Sequence, residues 1–121
     1  MQPILIIEDD ERLLFALNQS VRAAGYEADA VRSAEDAILL FEGDESKVPS
    51  AILLDLGLPG MEGGHFMQWI RHHPRLSRVP VIVVTGAADV GSRLELRPDR
   101  ILSKPVSPED LEIALQGVLH R

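Results

Sequence analysis

The chain has 121 residues, 45% of them hydrophobic and none of them cysteine, which is enough for one domain with its own core and excludes a disulfide framework, a thiolate metal site and a thiol nucleophile. With 12 Lys and Arg against 19 Asp and Glu, the formal charge of −7 argues against direct grip on a nucleic-acid backbone and favours a cation or a basic partner surface. The start MQPILIIEDDE meets acid after four consecutive apolar residues, too few for a signal peptide or a membrane span, so a single domain over 1–121 in a reducing, cytoplasmic setting is expected.

Ile4 to Ile7 is a short β-branched run that reads as a buried strand, closed by Glu8, Asp9 and Asp10. From Glu11, apolar residues at Leu14, Leu17, Val21 and Ala24 recur at helical spacing until Gly25, with Asp10 as the expected N-cap. Tyr26 to Val31 is a weaker strand. Ser33 then caps a helix whose buried side is Ala37, Ile38, Leu40 and Phe41, and a polar loop covers Gly43 to Pro49.

Ala51 to Leu54 is again wholly apolar and runs into Asp55, after which Gly57, Pro59 and Gly60 stop strand and helix alike. A helix around His65 to His73 follows, with Phe66, Trp69 and Ile70 on one side and Pro74 as its terminator. Trp69 is read as packing. Val81 to Val84 is the most β-prone run and reads as a central strand leading to Thr85 and Gly86. Ala87 to Asp99, broken by Gly91, Ser92 and Pro98, supports at most a short helix. Arg100 to Ser103 is a last strand ending at Lys104-Pro105, and Ser107-Pro108-Glu109-Asp110 opens a helix with buried stripe Leu111, Ala114, Leu115 and Val118.

Strands alternating with helices imply an α/β fold, a doubly wound parallel sheet of five strands. In such sheets ligands bind beyond the carboxyl ends of the strands, and that is where Glu8, Asp9, Asp55, Thr85 and Lys104 fall. Taken singly, Asp55 reads as a turn cap, Lys104 as a solvated lysine and Thr85 as a β-former. Together they read differently. If the first and third strands are neighbours, Glu8, Asp9 and Asp55 form a carboxylate cluster whose repulsion needs a proton or a cation, and an all-oxygen site suits Mg²⁺. Thr85 and Lys104 supply the hydroxyl and ammonium that a phosphoryl group on Asp55 requires. The four histidines show no metal-ligand spacing and are assigned no role.

The motifs ILIIEDD, LLDLGLPG, VIVVTG and LSKP, with separations of 46, 30 and 19 residues between Asp9, Asp55, Thr85 and Lys104, resemble the response-regulator receiver domains of two-component signalling. The resemblance implies a flavodoxin-like sheet of order 2-1-3-4-5 with a short or irregular fourth helix between Thr85 and Lys104. It implies that Asp55 is phosphorylated, Asp9 binds Mg²⁺ with Glu8 as its acidic companion, Gly57 offers a main-chain carbonyl to the metal, Thr85 binds a phosphoryl oxygen, and Lys104 pairs with the acid or its phosphate. Implied partners are a sensor histidine kinase or phosphotransfer protein and a downstream effector, without direct nucleic-acid or membrane contact. Catalysis extends only to the domain's own phosphorylation and dephosphorylation.

Two departures from the family pattern stand out. Ile101 occupies the position three before the lysine where receivers carry Tyr or Phe, and the stretch from Thr85 to Lys104 is about three residues short. Two rival readings follow: a receiver-like interaction module that is never phosphorylated, and a Mg²⁺-dependent aspartyl-phosphate phosphohydrolase. The second lacks its acid, since Gly57 stands two residues past Asp55.

Overall fold

The computed structural model describes residues 1–56, 63–86 and 97–120. In chain order the elements are β1 (Ile4–Ile7), α1 (Glu11–Ala23), β2 (Ala28–Val31), α2 (Ala34–Gly43), β3 (Ala51–Asp55), α3 (Gly63–His72), β4 (Val81–Gly86), β5 (Arg100–Lys104) and α4 (Pro108–Leu119). The strands form one parallel sheet in the order β2-β1-β3-β4-β5. Of the stretch Ala87 to Asp99, where at most a short helix is expected, residues 87–96 lie outside the described residues, and 97–99 are not helical.

The continuous apolar strands have a simple cause, since both faces of the sheet are covered. Leu5, Ile7, Ile52, Leu54, Val81 and Val83 point to one face, beneath Ala37 and Phe41 of α2 and Phe66 and Ile70 of α3. Ile4, Ile6, Leu53 and Ile82 point to the other, beneath Leu17 and Val21 of α1 and Leu111, Leu115 and Val118 of α4. Trp69 packs as expected, its ring 6.1 Å from Phe41 and 6.2 Å from Phe66.

Helix starts follow the caps. Asp10 accepts from the main-chain N–H groups of Arg12 and Leu13 at 2.9 and 3.1 Å; Ser33 accepts from Asp36 and Ser107 from Asp110, both at 3.0 Å. Each cap stabilises its helix by about 1 kcal/mol. Gly25, at φ +97°, supplies the left-handed turn that ends α1.

Several boundaries and burials differ from the sequence reading. Strand β2 begins at Ala28 rather than Tyr26, because the Tyr26 N–H is spent on Val21 in the turn closing α1. Helix α3 begins at Gly63, two residues ahead of the expected start, which the low helix propensity of glycine had hidden. Leu14, Ile38 and Leu40 are half-buried rather than buried, since each sits at the flank of its helix's apolar stripe. The expected strand ends at Leu54 and Val84 extend to Asp55 and Gly86, so Asp55 and Thr85 are themselves strand residues.

Candidate functional site

Strand register brings the polar residues together. Ile7 of β1 pairs with Leu54 of β3 and Asp55 with Val84 of β4, while Thr85 and Gly86 pair with Ser103 and Lys104 of β5. Glu8, the residue after β1, therefore stands beside Asp55, and Lys104 reaches them from two strands away. The Lys104 Nζ donates to Asp55 Oδ2 at 3.1 Å and lies 3.9 Å from Glu8 Oε1. Glu8 has no exposed surface, Asp55 is 5% exposed and Thr85 4%.

The three consecutive acids at the end of β1 have three separate fates. Glu8 turns inward. Asp9 is exposed at the rim, with a carboxylate oxygen within 4.8 Å of carboxylate oxygens of Glu8 and Asp55. Asp10 turns away to cap α1, and its own N–H points back to Glu8 Oε2 at 3.4 Å. A cap on one side chain thereby orients the carboxylate two residues earlier. The sequence reading had the cap but not this second contact, because nothing in residue order indicates where a main-chain N–H points.

Burial pushes the Glu8 carboxyl up to about 8 from its usual 4.5. A hydrogen bond to Asp55 and repulsion from its charge act in the same direction, and Lys104 opposes them. One lysine does not neutralise two buried carboxylates. Glu8 Oε1 is buried without a hydrogen-bond partner, and such an atom carries a desolvation cost unless a cation or donor meets it. The donor set of Glu8, Asp9 and Asp55 is all oxygen and anionic, which fits a hard divalent ion such as Mg²⁺. Gly57, the other expected contributor, lies outside the described residues.

Two further features complete the surroundings. The Lys104–Pro105 peptide is cis. Ile101 is half-buried and packs into the core on the α2 and α3 face, so the position expected to hold a mobile ring holds an anchored aliphatic chain.

A cation-ready acidic cluster, a buried hydroxyl and a lysine in hydrogen-bond contact with one aspartate can accept and hold an anionic group at Asp55. The comparisons with known proteins point the same way. The family model described as the response regulator receiver domain matches residues 4–116. The transcriptional regulatory protein GltR of Pseudomonas aeruginosa is 32% identical over 121 residues, covering 98% of this chain and 49% of its own length. The sensory transduction protein RegX3 of Mycolicibacterium smegmatis is 36% identical over 124 residues, covering 100% of this chain and 52% of its own. This chain thus spans about half the length of these curated relatives. Among solved structures, the receiver domain of a Pseudomonas aeruginosa sensor histidine kinase superposes with a TM-score of 0.87 at 28% identity, covering 99% of this chain and 98% of that one. That structure holds a magnesium ion coordinated in its active site cleft.

Proposed function

The chain belongs to the response regulator receiver domain family, and on that premise we propose that Asp55 accepts a phosphoryl group from a phosphohistidine of a sensor histidine kinase or phosphotransfer protein, in a Mg²⁺-dependent reaction. Receivers are signalling modules, and the phosphorylated domain passes its state to an effector domain or protein. The observation that carries this reading is the convergence on Asp55 of the Lys104 ammonium and the Glu8 and Asp9 carboxylates.

The chemistry is a displacement at phosphorus. A carboxylate oxygen of Asp55 forms the new P–O bond as the P–N bond to the donor imidazole breaks, and the imidazole leaves with the electron pair and takes up a proton. Lys104, already hydrogen-bonded to Asp55, orients that carboxylate and offsets the negative charge gained there. Thr85, buried at the end of β4, provides a hydroxyl for a second phosphoryl oxygen. Glu8 and Asp9, with Asp55, would hold Mg²⁺, which when bound supplies the positive charge that brings a phosphoryl dianion to an acidic pocket. Hydrolysis by water returns the Asp55 carboxylate and inorganic phosphate, so the domain turns over only its own modification.

Intact-mass measurement after incubation with a small phosphodonor and Mg²⁺ tests the assignment. The chain gains one phosphoryl group, and Asp55→Asn gains none. Label that survives this substitution, or that forms equally well in excess chelator, overturns the assignment and favours the unphosphorylated interaction module.

A further inference from the structure

Among the described residues, charge is sharply divided along the chain. Residues 1–56 carry twelve acids and four bases, and 105–120 carry three acids and no Lys or Arg. By contrast, 63–86 and 97–104 together carry six bases and one acid, Asp99. Lys104 belongs to the site at Asp55. The other five bases, Arg71, Arg75, Arg78, Arg97 and Arg100, lie at or next to the opposite ends of β4 and β5, and all are arginine.

These arginines are gathered by one of their number. Arg71, in the last turn of α3, donates to the carbonyls of Val79 and Arg97 at 3.2 and 3.4 Å and to Asp99 Oδ2 at 3.3 Å. Asp99 Oδ2 also accepts from the Val81 N–H at 2.8 Å. A single guanidinium thus ties the end of α3, the turn before β4 and the approach to β5 into one surface. Arg75 ties the same turn to α2 through the carbonyl of Phe41 and to the loop after α2 through that of Glu45.

The remaining three face solvent. Arg78, Arg97 and Arg100 are exposed, and none of them forms an ion pair among the described residues. Arg97 is held at φ +54°, a left-handed conformation that costs a non-glycine residue energy and that the Arg71 contact to its carbonyl helps to fix. The Arg100 guanidinium lies against Gly117 of α4, where an added Cβ would stand 2.8 Å from its Nη2. The helix carries its least favourable non-proline residue where the arginine crosses it.

We propose that this arginine surface docks an acidic segment of a partner protein, independently of the phosphoacceptor site at the other end of the same strands. Guanidinium groups present planar forks that match carboxylates two bonds at a time, and Arg71 holds the backbone beneath them in place. The neighbouring charges favour a short acidic segment over a nucleic acid. A duplex, with a charge about every 1.7 Å, overruns the patch and meets Asp44 and Glu45, exposed beside the Arg75 contact. Of the rings at this end, Trp69 is stacked between Phe41 and Phe66, and the exposed imidazole of His72 is held by its Nδ1 against the Gln68 carbonyl at 2.8 Å, so neither is free to serve as a stacking platform for bases.

The test is a titration of the isotope-labelled full chain with an oligoglutamate peptide at about 0.15 M salt, where only charges within about 8 Å act strongly on one another. Shifts are expected at residues 71–80 and 97–100 and not at Glu8, Asp9 or Asp55. The triple variant Arg78→Ala, Arg97→Ala, Arg100→Ala is expected to bind about tenfold or more weakly, the sum of three modest exposed contacts, and to accept the phosphodonor label as the parent does. Should the triple variant not fold, Arg78→Lys keeps the charge and loses the fork, and a several-fold weaker affinity is expected. No binding at this salt, binding unchanged in the variants, or tighter binding to a DNA duplex of matched charge would each overturn the proposal. So would self-association of the free chain that the triple variant abolishes, which assigns the surface to a second copy.

Discussion

Glu8→Gln probes how the acidic pocket stores its charge. In the folded, metal-free protein the Glu8 carboxyl is raised from 4.5 to about 8, so the folded state binds this proton more tightly than the unfolded state does. The sign follows: the contribution to stability is complete below pH 4.5, declines as pH rises, and is lost once pH passes 8. At about 1.4 kcal/mol for each pH unit between the two values, the loss is roughly 3–5 kcal/mol. Glutamine has nearly the same shape, does not titrate, and offers Asp55 an N–H where protonated Glu8 offers an O–H. Urea unfolding in excess chelator should therefore give nearly equal stabilities at pH 5 and a variant several kcal/mol more stable than the parent at pH 8.5. Mg²⁺ should narrow that gap by stabilising the parent more than the variant, because the ionised carboxylate then has its cation. A difference that stays constant from pH 5 to 8.5 would refute the buried-carboxylate reasoning.

Asp99→Ala removes the acceptor of the Val81 N–H and the partner of Arg71; unfolding should show a loss of about 2–3 kcal/mol, with Asp99→Asn recovering part of it. Phe66→Ala opens a cavity between α3 and the sheet at a fully buried ring and should cost about 3–5 kcal/mol by the same measurement. Ser107→Ala deletes the cap of α4 and should lower stability by about 1 kcal/mol, while Ser107→Asp leaves it nearly unchanged. Gly57 and Ala87, two residues past Asp55 and Thr85, carry no polar side chain to position an attacking water, so phosphorylated protein is expected to persist and Gly57→Asn to shorten its lifetime. A parent half-life of seconds in a phosphate-release assay contradicts that expectation.

Much of the site was legible because its information is local. Apolar runs without alternation signalled strands covered on both faces, the caps at Asp10, Ser33 and Ser107 signalled helix starts, and each acid, hydroxyl or lysine stood directly after or at the end of such a run. Ile101 could likewise be read as a departure, since residue identity alone shows that no ring is there. Propensity was a poorer guide at Gly63 and Tyr26, where a glycine inside a helix and a tyrosine drawn into a turn went against their usual preference.

Other properties depend on pairing between distant segments, which residue order does not encode directly. Only the register of β1, β3, β4 and β5 sets Lys104 at 3.1 Å from Asp55 and buries Glu8 beside it, and the shift in the Glu8 carboxyl exists because that packing excludes water from two neighbouring charges. The distribution of charge makes the same division clear. Arg71, Arg75, Arg78, Arg97 and Arg100 can be counted in the sequence, but parallel pairing of β4 with β5 and the reach of the Arg71 side chain are what bring them to one end of the sheet, away from the Glu8, Asp9 and Asp55 cluster at the other.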